Sequence, residues 1–377
     1  MQISQTSIAK ILNLIAVLIN KASLIFIASL IATADVAQGN EPLNTPEASK
    51  WQVLFQLDND LFSGSDRDYT SGVRLGFVQE IPLESDLGQH IDTRLRDGSK
   101  KLFNRLSSLR IDDDTDLRFA RGLGLSQLLF TPEDPNALSA PEGERPYAGW
   151  LGFEYSLHVK TDVLSNSLTF TVGTTGEASL AQPSQDWVHE NISNSPLFQG
   201  WDSQVPGELT LNLHFDHKQR FRNLYKVGTR GLEIDGYYEG GLSLGNFRTD
   251  AYVGSLARIG FSLPSSFSAP RVQLGSYGHQ LFSNNLDSSN KFSAYAFGGL
   301  RATGVLHDIT LDGPVFREFD TGVRSSSLVG ELLYGFGARY KRFDLIYSQT
   351  IRSEEFSGQT ENLQFGSLML RFQSGFR

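Results

Sequence analysis

Three short segments of this chain carry more polar chemistry than turns or strands require. The first runs Leu57-Asp58-Asn59-Asp60-Leu61-Phe62 and is followed closely by Asp66-Arg67-Asp68-Tyr69-Thr70-Ser71-Gly72. Carboxylate and amide oxygens gathered across such a hairpin suit a hard cation such as calcium, which takes about 6–8 oxygen ligands. An Asp/Asn-rich loop that caps its own turns meets the same spacing. The second segment, Glu144-Arg145-Pro146-Tyr147-Ala148-Gly149-Trp150, reads as a turn leading into an aromatic strand end at a lipid interface. The third opens at Gly173-Thr174-Thr175-Gly176 and carries Gln182, Gln185, His189 and then Gly200-Trp201-Asp202-Ser203-Gln204. Within it Val188-His189-Glu190-Asn191 reads as a short helical turn. An imidazole is the side chain best suited to take a proton near neutral pH. A solvated loop histidine fits as well, because the chain has seven.

The elements that must position these groups are strands. Leu151, Phe153, Tyr155, Leu157 and Val159 form one face of a window whose other face is Gly152, Glu154, Ser156, His158 and Lys160. Leu209, Leu211, Leu213 and Phe215 alternate in the same way with Thr210, Asn212, His214 and Asp216. Leu328, Leu332, Tyr334, Phe336, Ala338 and Tyr340 face away from Glu331, Gly335, Gly337 and Arg339. Period two marks a strand with one apolar and one polar face. About a dozen windows of roughly 9–12 residues lie between Trp51 and Phe372, and no convincing amphipathic helix interrupts them.

The polar faces hold Glu, Arg, His and Lys at mid-strand, which a dry sandwich core does not tolerate unpaired. Aromatics at strand ends (Tyr147, Trp150, Tyr237, Tyr238, Tyr340, Tyr347) suggest lipid interfaces. The chain also finishes on an alternating segment, Leu363 to Phe376, like a closing strand. The expected fold is therefore all-β, a transmembrane antiparallel β-barrel of about a dozen strands with apolar side chains turned outward. Period two then places Thr70 and Arg74 toward the lumen and Val73, Leu75 and Phe77 toward lipid.

Residues 1–34 contain Lys10 and Lys21, no acidic residue, and an apolar run from Ala22 to Ala34 that ends in Ala32-Thr33-Ala34. This is the pattern of a cleaved export signal, with Ala37 a second possible boundary; a retained anchor is the alternative. The expected organisation is a signal peptide over 1–34 and one outer-membrane barrel domain over 35–377. The absence of cysteine excludes a thiol nucleophile, a thiolate-bound zinc and an iron–sulfur cluster. A net charge of −9 argues against sequence-blind binding of nucleic acid.

Taken in order, five words in these segments resemble the outer-membrane lipid A 3′-O-deacylase family. They are Asn59-Asp60, Asp66-Arg67-x-Tyr69-Thr70-x-Gly72, Arg145-Pro146-Tyr147-Ala148-Gly149-Trp150, Gln185-x-x-Val188-His189 and Gly200-Trp201-Asp202-x-Gln204. The resemblance implies a twelve-stranded barrel that hydrolyses ester-linked acyl chains at the 3′ position of lipid A, with lipopolysaccharide as substrate and outer-membrane lipid as surroundings. It implies calcium dependence, a site between lumen and lipid, His189 as general base, Asn59 and Asp60 at the calcium, and Thr70 lining it. Two positions depart from the family pattern. The loop after the third strand, Phe130 to Gly143, has no Lys, so Arg145 is the nearest replacement; and Glu190 adjoins the histidine where a more distant Glu is expected. Two further readings fit the pattern: a non-catalytic barrel, as narrow pore or structural protein, and a soluble periplasmic β-protein.

Overall fold

Alternating side chains decide where each strand starts and which way it faces. In the computed structural model the described residues are 51–59, 68–81, 118–161, 163–221, 225–227, 231–264, 266–267 and 292–374. The expected signal peptide over residues 1–34, and Asp60, lie outside them. Twelve long strands follow in chain order: β1 (Trp51–Asn59), β2 (Asp68–Ile81), β3 (Arg118–Thr131), β4 (Ala148–Lys160), β5 (Leu164–Thr175), β6 (Leu209–Arg220), β7 (Leu232–Gly245), β8 (Arg248–Phe261), β9 (Phe292–Asp308), β10 (Leu328–Tyr340), β11 (Phe343–Arg352) and β12 (Leu363–Ser374). Each pairs antiparallel with the next, and β12 returns to β1 in the register Trp51↔Ser374 to Asn59↔Gly366. The short segment Tyr225–Val227 pairs with the start of β7 and prolongs the β6–β7 hairpin. The result is the closed twelve-strand barrel that the alternation requires. Asn59, Thr131, Ala148 and Thr175 stand at one end of it, the upper end below.

Burial runs opposite to that of a soluble sandwich. On β4, Phe153 and Tyr155 are exposed while Glu154, Ser156, His158 and Lys160 are buried. On β6, Leu209, Leu211 and Leu213 are exposed while Thr210, Asn212, His214 and Asp216 are buried. Outward apolar side chains need a lipid solvent, and inward polar ones need partners.

The partners are present. Glu154 receives Arg74 Nη2 at 3.0 Å and the Ser126 hydroxyl at 2.5 Å. Glu239 accepts from Arg301 at 3.1 Å, and the Arg301 guanidinium lies 4.0 Å over the Tyr252 ring. Toward the lower end Asp235 holds Arg258 and Arg220, and Asp344 holds Arg339 and Arg371. Ion pairs and aromatic rings thus stand inside the lumen at several heights.

The aromatic strand ends divide. Tyr238 and Tyr340 are exposed as expected. Trp51, Phe77, Phe343 and Phe372 form a further outer cluster at the lower end, with Trp51–Phe77 and Phe343–Phe372 centroids 6.0 and 5.1 Å apart. Tyr147, Trp150 and Tyr237 are instead fully buried. Trp150 points into the lumen, where its indole N–H donates to Thr210 Oγ1 at 2.8 Å and its ring meets Phe247. Gly152 and Gly173 make room for it; a Cβ at either would come within 2.2 or 2.7 Å of the indole. The expectation of a belt residue at Trp150 fails because neighbouring glycines open an inward pocket for it.

The fully buried Arg74–Glu154 pair gives a direct test. Arg74→Ala leaves an uncompensated carboxylate and should cost about 3–5 kcal/mol. The folded band in heat-modifiable electrophoresis should convert at a lower temperature. The double replacement Arg74→Met with Glu154→Leu should recover most of the loss.

Candidate active site on the outer wall

The strand-free stretch between β5 and β6 folds back against the outside of the barrel. It forms a 3-10 turn (Glu177–Ser179), the helix α1 (Ala181–Val188) and a π turn (His189–Ser193). The sequence reading gave only a turn around His189; an eight-residue helix precedes it. Ala181, Gln182 and Gln185 favour helix, and Pro183 is tolerated in the first turn, where its missing N–H leaves no bond unmade. Asn194, left-handed at φ +54°, ends the segment. Leu180 enters the helix at φ +56° with no side-chain cap. A branched residue in that conformation is strained by on the order of 1–3 kcal/mol, so tertiary contacts must hold it.

Those contacts are with β3 and β4. Gln127 Nε2, on the outer face of β3, donates to the Ser179 carbonyl at 2.7 Å. Outward-facing Gly149 allows the close approach: a Cβ there would sit 2.2 Å from Ser179 Oγ and 2.4 Å from Ala181 Cβ. Leu129, Tyr147, Ala181, Phe198 and Trp201 pack into one buried cluster beneath the helix. The Trp201 indole N–H donates to Gln185 Oε1 at 2.8 Å, and the Tyr147 hydroxyl to the Ala137 carbonyl at 3.0 Å. Gln185 is thereby oriented, and its amide nitrogen is buried without an acceptor among the described residues.

His189 is buried one turn beyond Gln185 on the same face. Its Nδ1 is 2.6 Å from the Pro196 carbonyl, and its ring meets Phe198 edge-on at 5.9 Å. A carbonyl only accepts, so Nδ1 carries a proton, and in the neutral ring Nε2 is then the nitrogen that holds the lone pair. That is the tautomer a general base requires. Asp186, one turn back, has its carboxyl raised above the usual range, first by burial and then by Glu190, with His189 acting in the opposite direction.

On the neighbouring strands Asn59 Nδ2 donates to the Thr70 carbonyl at 2.9 Å, and Thr70 Oγ1 lies 2.7 Å from Thr131 Oγ1. The β2–β3 register shifts between Tyr69 and Ser71. Tyr69 therefore points into the lumen, with its hydroxyl on Asp58 Oδ2 at 3.3 Å, while Thr70 turns toward outward-facing Thr131. The expectation that Thr70 and Arg74 share the lumen holds for Arg74 alone. A bulge adds a residue to one strand and reverses the side of the residue it displaces. Asn59 alternates outward from Asp58, so Asn59, Thr70 and Thr131 occupy one outer face on three adjacent strands, spaced about 4.8 Å apart. His189 makes its own hydrogen bond to Pro196 rather than to any of them. Thr131 was not anticipated; its one signal was its position ending a strand beside the Thr70 word.

Arg145 turns into the upper lumen rather than toward the outer face that carries His189. Its Nη1 pairs with Glu355 at 2.8 Å, its Nη2 reaches Thr310 at 3.2 Å, and its guanidinium covers the Phe130 ring. It closes the top of the lumen and ties together the loops after β3, β9 and β11. Glu190 is exposed. Among the described residues no three His, Asp or Glu side chains form a metal cage. The Asn59 amide and the Thr70 and Thr131 hydroxyls nonetheless make an oxygen-only donor set, and Asp60 follows Asn59 directly in the chain. That chemistry suits calcium.

Residues 23–374 match the family described as Outer membrane protein LpxR. The fold is similar to that of LpxR from Salmonella typhimurium, with a TM-score of 0.63, 17% identity, and 85% of this chain and 99% of that one covered. The β domain of the Bordetella autotransporter BrkA aligns at a TM-score of 0.39 and 9% identity, over 86% of this chain and 98% of that one. A comparison with curated proteins finds no match.

Gly149 provides the test of this packing. Gly149→Val should push Ser179 and Ala181 off the wall and expose the 177–205 segment. Limited proteolysis should then cut that segment at least tenfold faster than in the unmodified protein, while the barrel core keeps its heat-modifiable mobility. Equal cutting rates would show that the helix does not depend on this contact.

Proposed function

The chain belongs to the outer membrane protein LpxR family, the lipid A 3′-O-deacylases, and from that premise we propose that it hydrolyses the 3′ ester-linked acyl chains of lipid A with a histidine-activated water. The observation that carries the reading is the His189 ring, pinned by the Pro196 carbonyl on the outer wall with Nε2 left to accept. A membrane-held ester reaching that wall meets the base without entering the barrel.

In this mechanism water between Nε2 and the ester carbonyl loses its proton to His189. The hydroxide adds to the carbonyl carbon, the bond between that carbon and the ester oxygen breaks, and the imidazolium returns the proton to the departing sugar alkoxide. The products are a fatty acid and a free hydroxyl on the sugar. The Pro196 carbonyl keeps the ring in one orientation and stabilises the charge it gains. Asn59 and Thr70 are the groups that would hold calcium, together with Asp60. When bound, calcium supplies fixed positive charge for the oxyanion. Without a family lysine, Gln185 is the nearest buried donor on the helix face that carries His189.

His189→Ala should lower deacylation by about 10²–10⁴-fold, the range for a lost positioned base. His158→Ala, whose ring meets Ser156 inside the lumen at 2.8 Å, should stay near wild type. Mass spectrometry of lipid A incubated with each variant reads both outcomes. Wild-type turnover by His189→Ala ends the mechanism, and an inactive wild type with calcium present makes a non-catalytic barrel the better reading.

Calcium has its own test. Chelation should abolish turnover, and calcium rather than magnesium should restore it, because magnesium demands a tighter octahedral shell. Asp60→Ala should raise the calcium requirement. Full activity in excess chelator would remove the metal.

A further inference from the structure

The helix α1 has three faces, and the function proposed above uses one. At about 100° per residue, Ala181, Gln185 and His189 form a buried stripe against the wall. Gln182, Asp186 and Glu190 form a second, polar stripe roughly a quarter-turn away. Leu180 at the cap, Pro183 and Trp187 form a third, apolar group, the last two at the i, i+4 spacing of one helical ridge. All three of its residues are exposed: Leu180 by 54% and Trp187 by 48%, with Pro183 beside them. The apolar ridge lies opposite the buried stripe, so it faces away from the barrel wall, with the polar stripe between them; an exposed apolar ridge flanked by a polar face is the pattern of a helix lying in a membrane interface.

The helix that carries the ridge lies against the lipid-facing wall. Gln127, which holds Ser179, is two positions along β3 from Leu125, about 7 Å at strand rise. Leu125 pairs with Phe153 on β4, and both are exposed apolar residues of the barrel's outer belt. No Lys or Arg lies between Glu177 and Asn194, so surface charge does not attract the helix to anionic headgroups. Apolar contact with acyl chains remains the driving term.

We propose that Leu180, Pro183 and Trp187 seat α1 in the acyl-chain region of the outer-membrane leaflet, fixing the height of His189 relative to the lipid. The inference rests on the outer-membrane barrel and needs no turnover.

Tryptophan emission reads it directly. The chain has four Trp; Trp150 and Trp201 are buried, and Trp51 lies on the outer face at the lower end. Trp51→Phe is the starting protein, and the difference between it and Trp51→Phe with Trp187→Phe isolates Trp187. Both are reconstituted in phosphatidylcholine vesicles, with or without bromine on the acyl chains, and checked for heat-modifiable mobility. The Trp187 component should lose at least half its intensity in brominated lipid and resist aqueous iodide. Quenching by iodide but not by bromolipid would overturn the proposal, placing the helix in water. Protection from both, with a dimer mass in detergent, would overturn it in favour of a second copy of the chain. An inactive wild type whose Trp187 is quenched by bromolipid would refute the esterase reading and leave this one standing.

Discussion

The pairing of Trp51–Asn59 with Leu363–Ser374 removes the last free edge of the sheet. In hydrocarbon no water satisfies an unpaired backbone N–H or C=O, each costing several kcal/mol, so only a closed ring survives. Closure then dictates the side chains. Once every strand has two neighbours, each residue faces either lipid or lumen, and alternation becomes obligatory. The charges at Arg74, Glu154, Glu239, Arg301 and Asp344 follow from this, because twelve inward faces need volume filled without apolar sequence runs. Their pairing converts a polar lumen into a stiff support for the wall.

That support explains how a site can stand on the outside of a barrel. Gly149 lets the helix approach β4 closely only if β4 holds its place, and β4 is held from within by Arg74–Glu154 and by Trp150 bonded to Thr210. Arg145 adds a link across the upper end to Glu355 and Thr310. The word Arg145-Pro146-Tyr147-Ala148-Gly149-Trp150 therefore braces three directions at once. Arg145 and Trp150 point inward, Tyr147 packs beneath the helix, and Gly149 leaves space for it.

Much of the fold was legible because period two is a strong signal: the faces assigned on β4, β6 and β10 match the burial found. Ring closure was legible from the terminal alternating segment. What alternation hides is an interruption of itself. The bulge at Thr70 reverses one side chain without changing the letters on either side. The buried Trp150 resembles a belt residue until the glycines at 152 and 173 are placed beside it in space, one of them on a different strand. The helix Ala181–Val188 escaped notice because its three stripes include polar and apolar residues in nearly equal share, so no single amphipathic contrast stands out. At the site, His189 and Asn59 were legible as words. The tautomer of His189 was not, because it depends on a carbonyl seven residues away in a loop without regular pattern.

The outward position of the site also follows from the energetics of a lipid substrate. Drawing a chain of about a dozen methylenes out of the bilayer costs on the order of 10 kcal/mol, at about 0.8 kcal/mol per methylene. A base inside the lumen would face that cost in full, and this lumen is already occupied by paired charges. A base on the outer wall avoids it, since the acyl chain stays in hydrocarbon while only the ester rises to meet the imidazole. The wall must then be smooth enough for lipid to approach and rigid enough to hold a loop helix at one height. Exposed Leu125 and Phe153 meet the first need, and the paired lumen behind them meets the second. The position of His189 on the wall thus depends on side chains that stand on the far side of a single sheet.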